Sequence, residues 1–321
     1  EETRSAAVIG FAAGLLADAD FLIQSANDPL LNLDYHRHFT HALVFIPAGA
    51  LIAAFFLRLF FRRRLSFKRI YIYSLMGYSL SGALDACTGY GTHLFWPFSE
   101  SRVALNLISI IDPIFSGALL CAGLAAVYTR RAIFARIGLI FCAAYLAFAG
   151  VQQHRALEAA ESLAARRGHI PQRAVARPSF ANTVIWRSVY IAEGRIYIDA
   201  VRAGVFNTRI YEGESVAHFK IDDAMLAGIP RASTLGRDIH RFAKFSDGYI
   251  GIHPALPNIL GDLRYSMLPD SARPLWGIVL NPQRTERHAE FRAFRKLSPE
   301  QRRRLLNLLA GREAPRSAPL D

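Results

Sequence analysis

Cysteine is scarce in this chain. Of 321 residues only Cys87, Cys121 and Cys142 carry a thiol, each in apolar surroundings and none in a CxxC pair. That excludes a disulfide framework and a structural thiolate zinc site, and the three read as small buried hydrophobes. Acids are also few: 26 Asp and Glu stand against 38 Lys and Arg, a formal net charge of +12. A basic balance raises nucleic acid as a partner, but no nucleic-acid motif is recognisable and none is expected to bind. There is no internal repeat. The opening lacks a basic n-region with a cleavage site, so no signal peptide is expected. The chain starts at Glu1 rather than Met, which leaves room for a further segment upstream. Residues 152–321 lack long apolar runs, whereas residues 5–151 hold nearly all of them.

Those runs divide the chain. Crossing a bilayer core takes about 20 apolar residues. Ser5 to Ala17 is rich in Ala and Gly, reaches Asp18 and Asp20, and continues through Ile23; its small residues suit close helix packing in lipid. Residues 24–35 read as a loop around Asn27-Asp28-Pro29. Ala42 to Phe60 is a span with Thr40 as its expected N-cap. Ile70 to Ala86, Leu107 to Tyr128 and Ile133 to Val151 complete a five-span helical domain over residues 1–151. Arg62, Arg63, Arg64, Lys68 and Arg69 crowd one short connection, and Arg130, Arg131 and Arg136 another. Basic loops stay in the cytoplasm. The expected location is therefore a membrane, with the opposite helix ends and everything after residue 151 extracytoplasmic.

Residues 152–170 have the spacing of an amphipathic connecting helix, and residues 171–311 read as a soluble, mostly β domain. Strand composition marks Val184 to Ile191 and Arg195 to Val201, joined by a Glu193-Gly194 turn. Phe206 to Tyr211, Ser215 to Ile221, Ile239 to Phe245, Tyr249 to His253 and Leu275 to Leu280 are further strand candidates. Ser298-Pro-Glu-Gln301 has the pattern of a helix start, ending near Gly311. The tail 312–321 is expected to be disordered. The predicted fold class is an α-helical multi-spanning membrane domain followed by a smaller, mostly β soluble domain.

Chemistry concentrates on the extracytoplasmic helix ends. Tyr35-His-Arg-His-Phe-Thr-His41 sets three histidines before an apolar run, and Asp18, Asp20, Asp85 and Asp112 lie at the ends of other runs. Histidine is the commonest metal ligand, and ionisable groups in a span region are costly without a function. Asp85 is the strongest case; Asp18 and Asp20 have an interfacial role as their alternative. Asp112 has another, as a carboxylate satisfying backbone N–H groups at a helix start. His36 and His41, five apart, do not share a helix face, which places His36 in the loop and His41 on a following turn. Nitrogen and oxygen donors without thiolate suit Zn, with Mn and Fe as alternatives. His93 is open between ligand, substrate contact and neither, and Arg37 and Arg102 are candidates to bind an anion such as phosphate. His154, His169, His218, His240, His253 and His288 read as ordinary histidines, and Asp222, Asp223 and Asp238 as structural acids.

In this ordered series the chain resembles the YdjM-like family of inner-membrane-associated metal-dependent hydrolases. The matching elements are Leu16-Ala-Asp-Ala-Asp20, the 35–41 stretch, Asp85-Ala-Cys-Thr-Gly-Tyr-Gly-Thr92, Trp96-Pro-Phe98 and Ile110-Ile-Asp-Pro113. His38 stands where the family usually has a small residue, and Asn106 where many members carry an acid. The resemblance covers about residues 5–151 and implies a histidine/aspartate metal site on Asp18, Asp20, His36, His41 and Asp85, with Asp112 less firmly. The expected assignment has Asp20, His36, His41, Asp85 and Asp112 holding a divalent ion, and Asp18, Asp85 and Arg37 acting on substrate. The expected activity is hydrolysis of a lipid or phosphoester at the membrane surface; the alternative is an anchor or transporter whose His/Asp site is structural or carries ions.

Overall fold

A computed structural model describes residues 2–226 and 228–312. It forms two compact units, Glu1–Gln24 with Tyr35–Gly150, and Ser25–Asp34 with Val151–Asp321. Most of the tail expected to be disordered, residues 313–321, lies outside the described residues.

The first unit is helical. Helix α1 (Glu2–Ala17) passes into a 3-10 turn, Asp18–Leu22. A short α2 (Leu31–Tyr35) leads to two further 3-10 turns, Phe39–His41 and Leu43–Phe45, before α3 (Ile46–Phe61). Then follow α4 (Phe67–Cys87), α5 (Pro113–Thr129) and α6 (Ala132–Arg166). Ile9, Ala54 and Ile70 pack together at the meeting of α1, α3 and α4. The backbones of α1 and α4 approach closely: a Cβ on Gly77 would stand 2.0 Å from the Gly10 carbonyl oxygen, so only glycine fits. Outward faces carry exposed Phe11, Phe55, Phe60 and Ile140, as suits a lipid environment.

Among the described residues three helical segments are long and apolar enough to cross a membrane: Glu2–Leu22, Leu43–Phe61 and Ala132–Arg166; the apolar helix Pro113–Thr129 is shorter. Two expected starts move. Thr40 caps no helix, because α3 begins only at Ile46, with Pro47 in its first turn. The segment expected from Leu107 becomes helical only at Pro113, since a residue preceding proline is driven out of the α region and Asp112 takes the N-cap. Conversely, the last span and the connecting helix are one element, α6, of 35 residues.

The second unit contains two antiparallel sheets. One orders β1 (Arg173–Pro178), β2 (Ile185–Ala192), β3 (Arg195–Ala203) and β4 (Thr208–Tyr211), with β5 (Ser215–Ala217) also on β3. Ala192 pairs with Arg195 across a two-residue turn in which Glu193 and Gly194 both have positive φ, the geometry that matches strand twist. After α7 (Ile221–Leu226) comes α8 (Thr234–Phe245). The other sheet is a meander of β6 (Ile250–His253), β7 (Leu256–Asp262), β8 (Trp276–Val279) and β9 (Phe291–Ala293). Leu235, Ile239 and Phe242 of α8 share a core with Ile250, Leu260 and Ile278 of that sheet. The strand expected at Ile239–Phe245 is thus helix: Leu235, Ile239, Phe242 and Ala243 recur at three- and four-residue spacing, and Ser233 caps the start through the Gly236 N–H. The last helix, α9 (Pro299–Ala310), has the expected capping box of Ser298 and Gln301 and ends at Gly311.

Candidate metal centre

The site lies wholly in the first unit and is assembled from two turns and the end of one helix. The 3-10 turn after α1 carries Asp18 and Asp20, the turn Phe39–His41 carries His41, and the end of α4 carries Asp85. Close approach sets the last distance. A Cβ on Gly82 would lie 2.6 Å from the His41 carbonyl oxygen, so glycine at 82 lets the histidine turn seat against α4 one turn before Asp85.

His41 is buried and is contacted on both ring nitrogens. Its Nε2 lies 3.0 Å from Asp85 Oδ2 and 3.4 Å from Asp18 Oδ1, with Ser81 Oγ also at 3.4 Å. Its Nδ1 lies 3.0 Å from Thr40 Oγ1 and 3.3 Å from Asp20 Oδ2. Burial alone would lower the His41 pKa; the carboxylates of Asp18, Asp20 and Asp85 outweigh it and push it up to about 10. The surrounding acids therefore favour a positive charge on the His41 ring. Ligand atoms of Asp18, His41 and Asp85 all fall within 4.8 Å of one another, and the Asp18 side chain is 48% exposed, so the group has an open side.

Asp20, expected among the ligands, lies outside the Asp18–His41–Asp85 group. Its Oδ2 accepts from the Arg37 backbone N–H at 2.8 Å and the Thr40 hydroxyl at 2.6 Å, while its Oδ1 meets His36 Nδ1 at 3.0 Å. With its oxygens so engaged it orients both histidines, as carboxylates behind metal-bound imidazoles do. Asp112 is not brought to the group: Oδ1 accepts from the Ile114 and Phe115 N–H groups and Oδ2 from the Tyr145 hydroxyl, so the helix-start reading describes it. Arg37 places Nε 3.0 Å from Asp85 Oδ2 and donates from Nη1 to Thr88 Oγ1. Its φ of 59° is left-handed, a conformation held by bonds on both sides: its N–H to Asp20, its carbonyl accepting from His93 N–H and the Thr92 hydroxyl. Arg37 and Arg102 both lie against the Tyr90 ring, at 5.2 and 4.9 Å. His93 sits beside His38, ring centroids 4.6 Å apart, not in the Asp18–His41–Asp85 group.

Three partners carry no expected role at the site: Thr40 is expected only as an N-cap, and Tyr78 and Ser81 are not singled out in the sequence. Thr40 and Tyr78, whose hydroxyl donates to the Thr40 carbonyl, brace the histidine turn. Ser81 had a readable signal, one helical turn before Asp85 on the same face. A second His/Asp grouping, Asp28, Asp238 and His288, lies in the second unit, where Arg241 already supplies the positive charge.

Apolar spans and a buried His/Asp cluster at helix ends together define a membrane protein with a candidate metal centre. Residues 1–156 match the family described as YdjM inner membrane protein. A 109-residue stretch is 31% identical to the uncharacterized protein YfhP of Bacillus subtilis (strain 168), covering 34% of this chain and 33% of the relative's own length. No solved structure matches the chain.

Proposed function

We propose that this is a membrane-bound, metal-dependent hydrolase acting on a lipid or phosphoester at the extracytoplasmic face. The observation that carries the reading is the convergence of Asp18, Asp85 and His41 Nε2 on one point, with Asp20 behind the histidine. One imidazole and two carboxylates, without thiolate, fit a divalent ion such as Zn, Mn or Fe. Asp18, His41 and Asp85 would hold it, and such an ion supplies Lewis-acid polarisation and activation of water. Asp20 and Thr40 fix the His41 ring so that Nε2 faces the acids. Asp18, half-exposed, is the base of the group that reaches solvent and can accept a proton from water at its carboxylate. The Arg37 guanidinium forms an ion pair with Asp85, and Arg37 with Arg102 brings two guanidinium groups to Tyr90 near the cluster, where an anionic group would be favoured. The basic connections at 62–69 and 130–136 support a multi-pass arrangement with the site and the C-terminal unit extracytoplasmic.

One contact favours a second reading. Arg37 Nε on Asp85 Oδ2 gives the cluster a cation of its own, as a non-enzymatic packing network in an anchor or transporter would have. A hydrolysis screen on detergent-purified, metal-supplemented protein separates the two, using phosphomonoesters, phosphodiesters and phospholipids with Asp18→Asn beside wild type. Turnover that needs both metal and Asp18 supports the hydrolase. Stoichiometric metal with no turnover on any substrate class supports the second reading.

A further inference from the structure

The chain leaves the first unit after Gln24 and returns at Tyr35, and the residues between belong to the second unit. On either side of that excursion stand Asp20 and His36, whose side chains meet at 3.0 Å. We propose that the C-terminal unit positions the His/Asp site by gripping this excursion, with Leu30 and Arg241 as the positioning residues. The inference rests on the metal-site reading for its consequence and on geometry for its mechanism.

The grip has an apolar and a charged part. Leu30 is 1% exposed and sits in the core with Ile229, Leu235, Ile239 and Phe242, residues about 200 positions further along the chain. Arg241, on α8, donates to Asp34 Oδ2 from Nη2 at 2.6 Å and from Nε at 2.9 Å, and reaches Asp28 at 3.0 Å and its helix neighbour Asp238 at 3.0 Å. Asp28 in turn accepts the Leu30 N–H, which shapes the turn that presents the leucine. The three carboxylates thus converge on a guanidinium, with His288 Nδ1 on Asp238, so the cluster is accounted for as a clasp. Closing a loop between Asp20 and His36 costs chain entropy. Fixing its middle residues in a folded core removes most of that freedom before the site forms. The residue after the excursion's end is Tyr35, followed by His36 and the strained Arg37, so a loosened clasp acts first on the backbone that binds Asp20.

The test uses the full chain in detergent, comparing wild type with Arg241→Ala, Leu30→Ala and Leu30→Met, the last keeping apolar volume, and with His41→Ala as the site control. Zn2+ affinity is read by chelator competition, and hydrogen exchange is read on peptides covering 35–41 and β2–β3. The expected result is a Zn2+ affinity loss of about tenfold or more in both alanine variants, the scale of losing an outer-shell support. Exchange at 35–41 rises with it, β2–β3 stay protected, and Leu30→Met recovers most of both. Unchanged exchange at 35–41 in Arg241→Ala and Leu30→Ala overturns the proposal. So does a rise that spreads equally through β2–β3, which would mean collapse of the unit. If wild type and His41→Ala alike bind no Zn2+, the metal reading fails, while the exchange at 35–41 still decides whether the clasp positions this backbone.

Discussion

Arg187 and His41 are both nearly inaccessible, 3% and 1% exposed, yet they are satisfied in opposite ways. Arg187, in the β unit, donates to the carbonyls of Leu263, Leu268, Pro269 and Ser271. Nearby, Arg264 pairs with the buried Asp262. Each of those charges is matched by neutral acceptors or by one opposite charge, which is how interiors hold a charge for architecture alone. His41, in the helical unit, meets the carboxylates of Asp18, Asp20 and Asp85. Burial of charge does not by itself distinguish a site from a scaffold. The metal-site proposal rests on the three carboxylates gathered around one buried imidazole, with Asp18 open to solvent.

The contrast is broken most severely at His41. His41→Ala is expected to reduce metal affinity by about 100-fold or more, as loss of an imidazole donor with its carboxylate support should; metal analysis beside circular dichroism checks it, with helicity retained. Arg187→Met should do the reverse. It leaves four buried carbonyl acceptors without their donor, costing the β unit about 3–5 kcal/mol. Thermal unfolding should show the loss while metal content stays at the wild-type level. Gly82→Ala forces a methyl to within 2.6 Å of the His41 carbonyl oxygen; a penalty of about 1–3 kcal/mol follows from such overpacking. Metal affinity should fall with it, and the unfolding of the β unit should not move. Asp112→Ala removes an N-cap, about 1 kcal/mol, and should leave metal binding untouched. The mildest effect concerns acid. Burial would raise the Asp28 pKa, but Arg241 and the Leu30 N–H hold it below the ordinary aspartate value. Its stabilising contribution is present above that ordinary value and is lost as pH falls through the lowered one. Arg241→Met should therefore flatten the acid limb of the β unit's unfolding curve.

The residues of the candidate centre stand out in the sequence because each breaks an apolar run: Asp18, Asp20 and Asp85 end helices, and His41 precedes one. Their division of labour does not. Asp18 and Asp20 are two apart on a 3-10 turn, and which one faces His41 Nε2 is fixed by Thr40 and the Arg37 N–H, contacts with no sequence periodicity. Asp112 carried two readings in the sequence, and Pro113 decides for the cap. In the β unit the β2–β3 hairpin was visible from its alternation and its Glu193-Gly194 turn. Strands β1 and β7 were missed because Pro178 in one, and Pro257 with Gly261 in the other, are residues that strand patterns normally avoid. Ile239–Phe245 is short, β-branched and aromatic enough to mimic a strand, and only its packing with Leu235 reveals a helix. The excursion 25–34 read as a plain loop because its partners lie some 200 residues away.

The most direct test of the proposed metal site is metal content by mass spectrometry on protein purified in detergent without chelators, for wild type, His41→Ala, Asp85→Ala and Asp112→Ala together. The account predicts near-stoichiometric metal in wild type and Asp112→Ala, and background levels in His41→Ala and Asp85→Ala. Background levels in wild type after an attempt to reload Zn, Mn or Fe would contradict it, and would make the Asp18–His41–Asp85 cluster an ion-pair network that packs the helix ends.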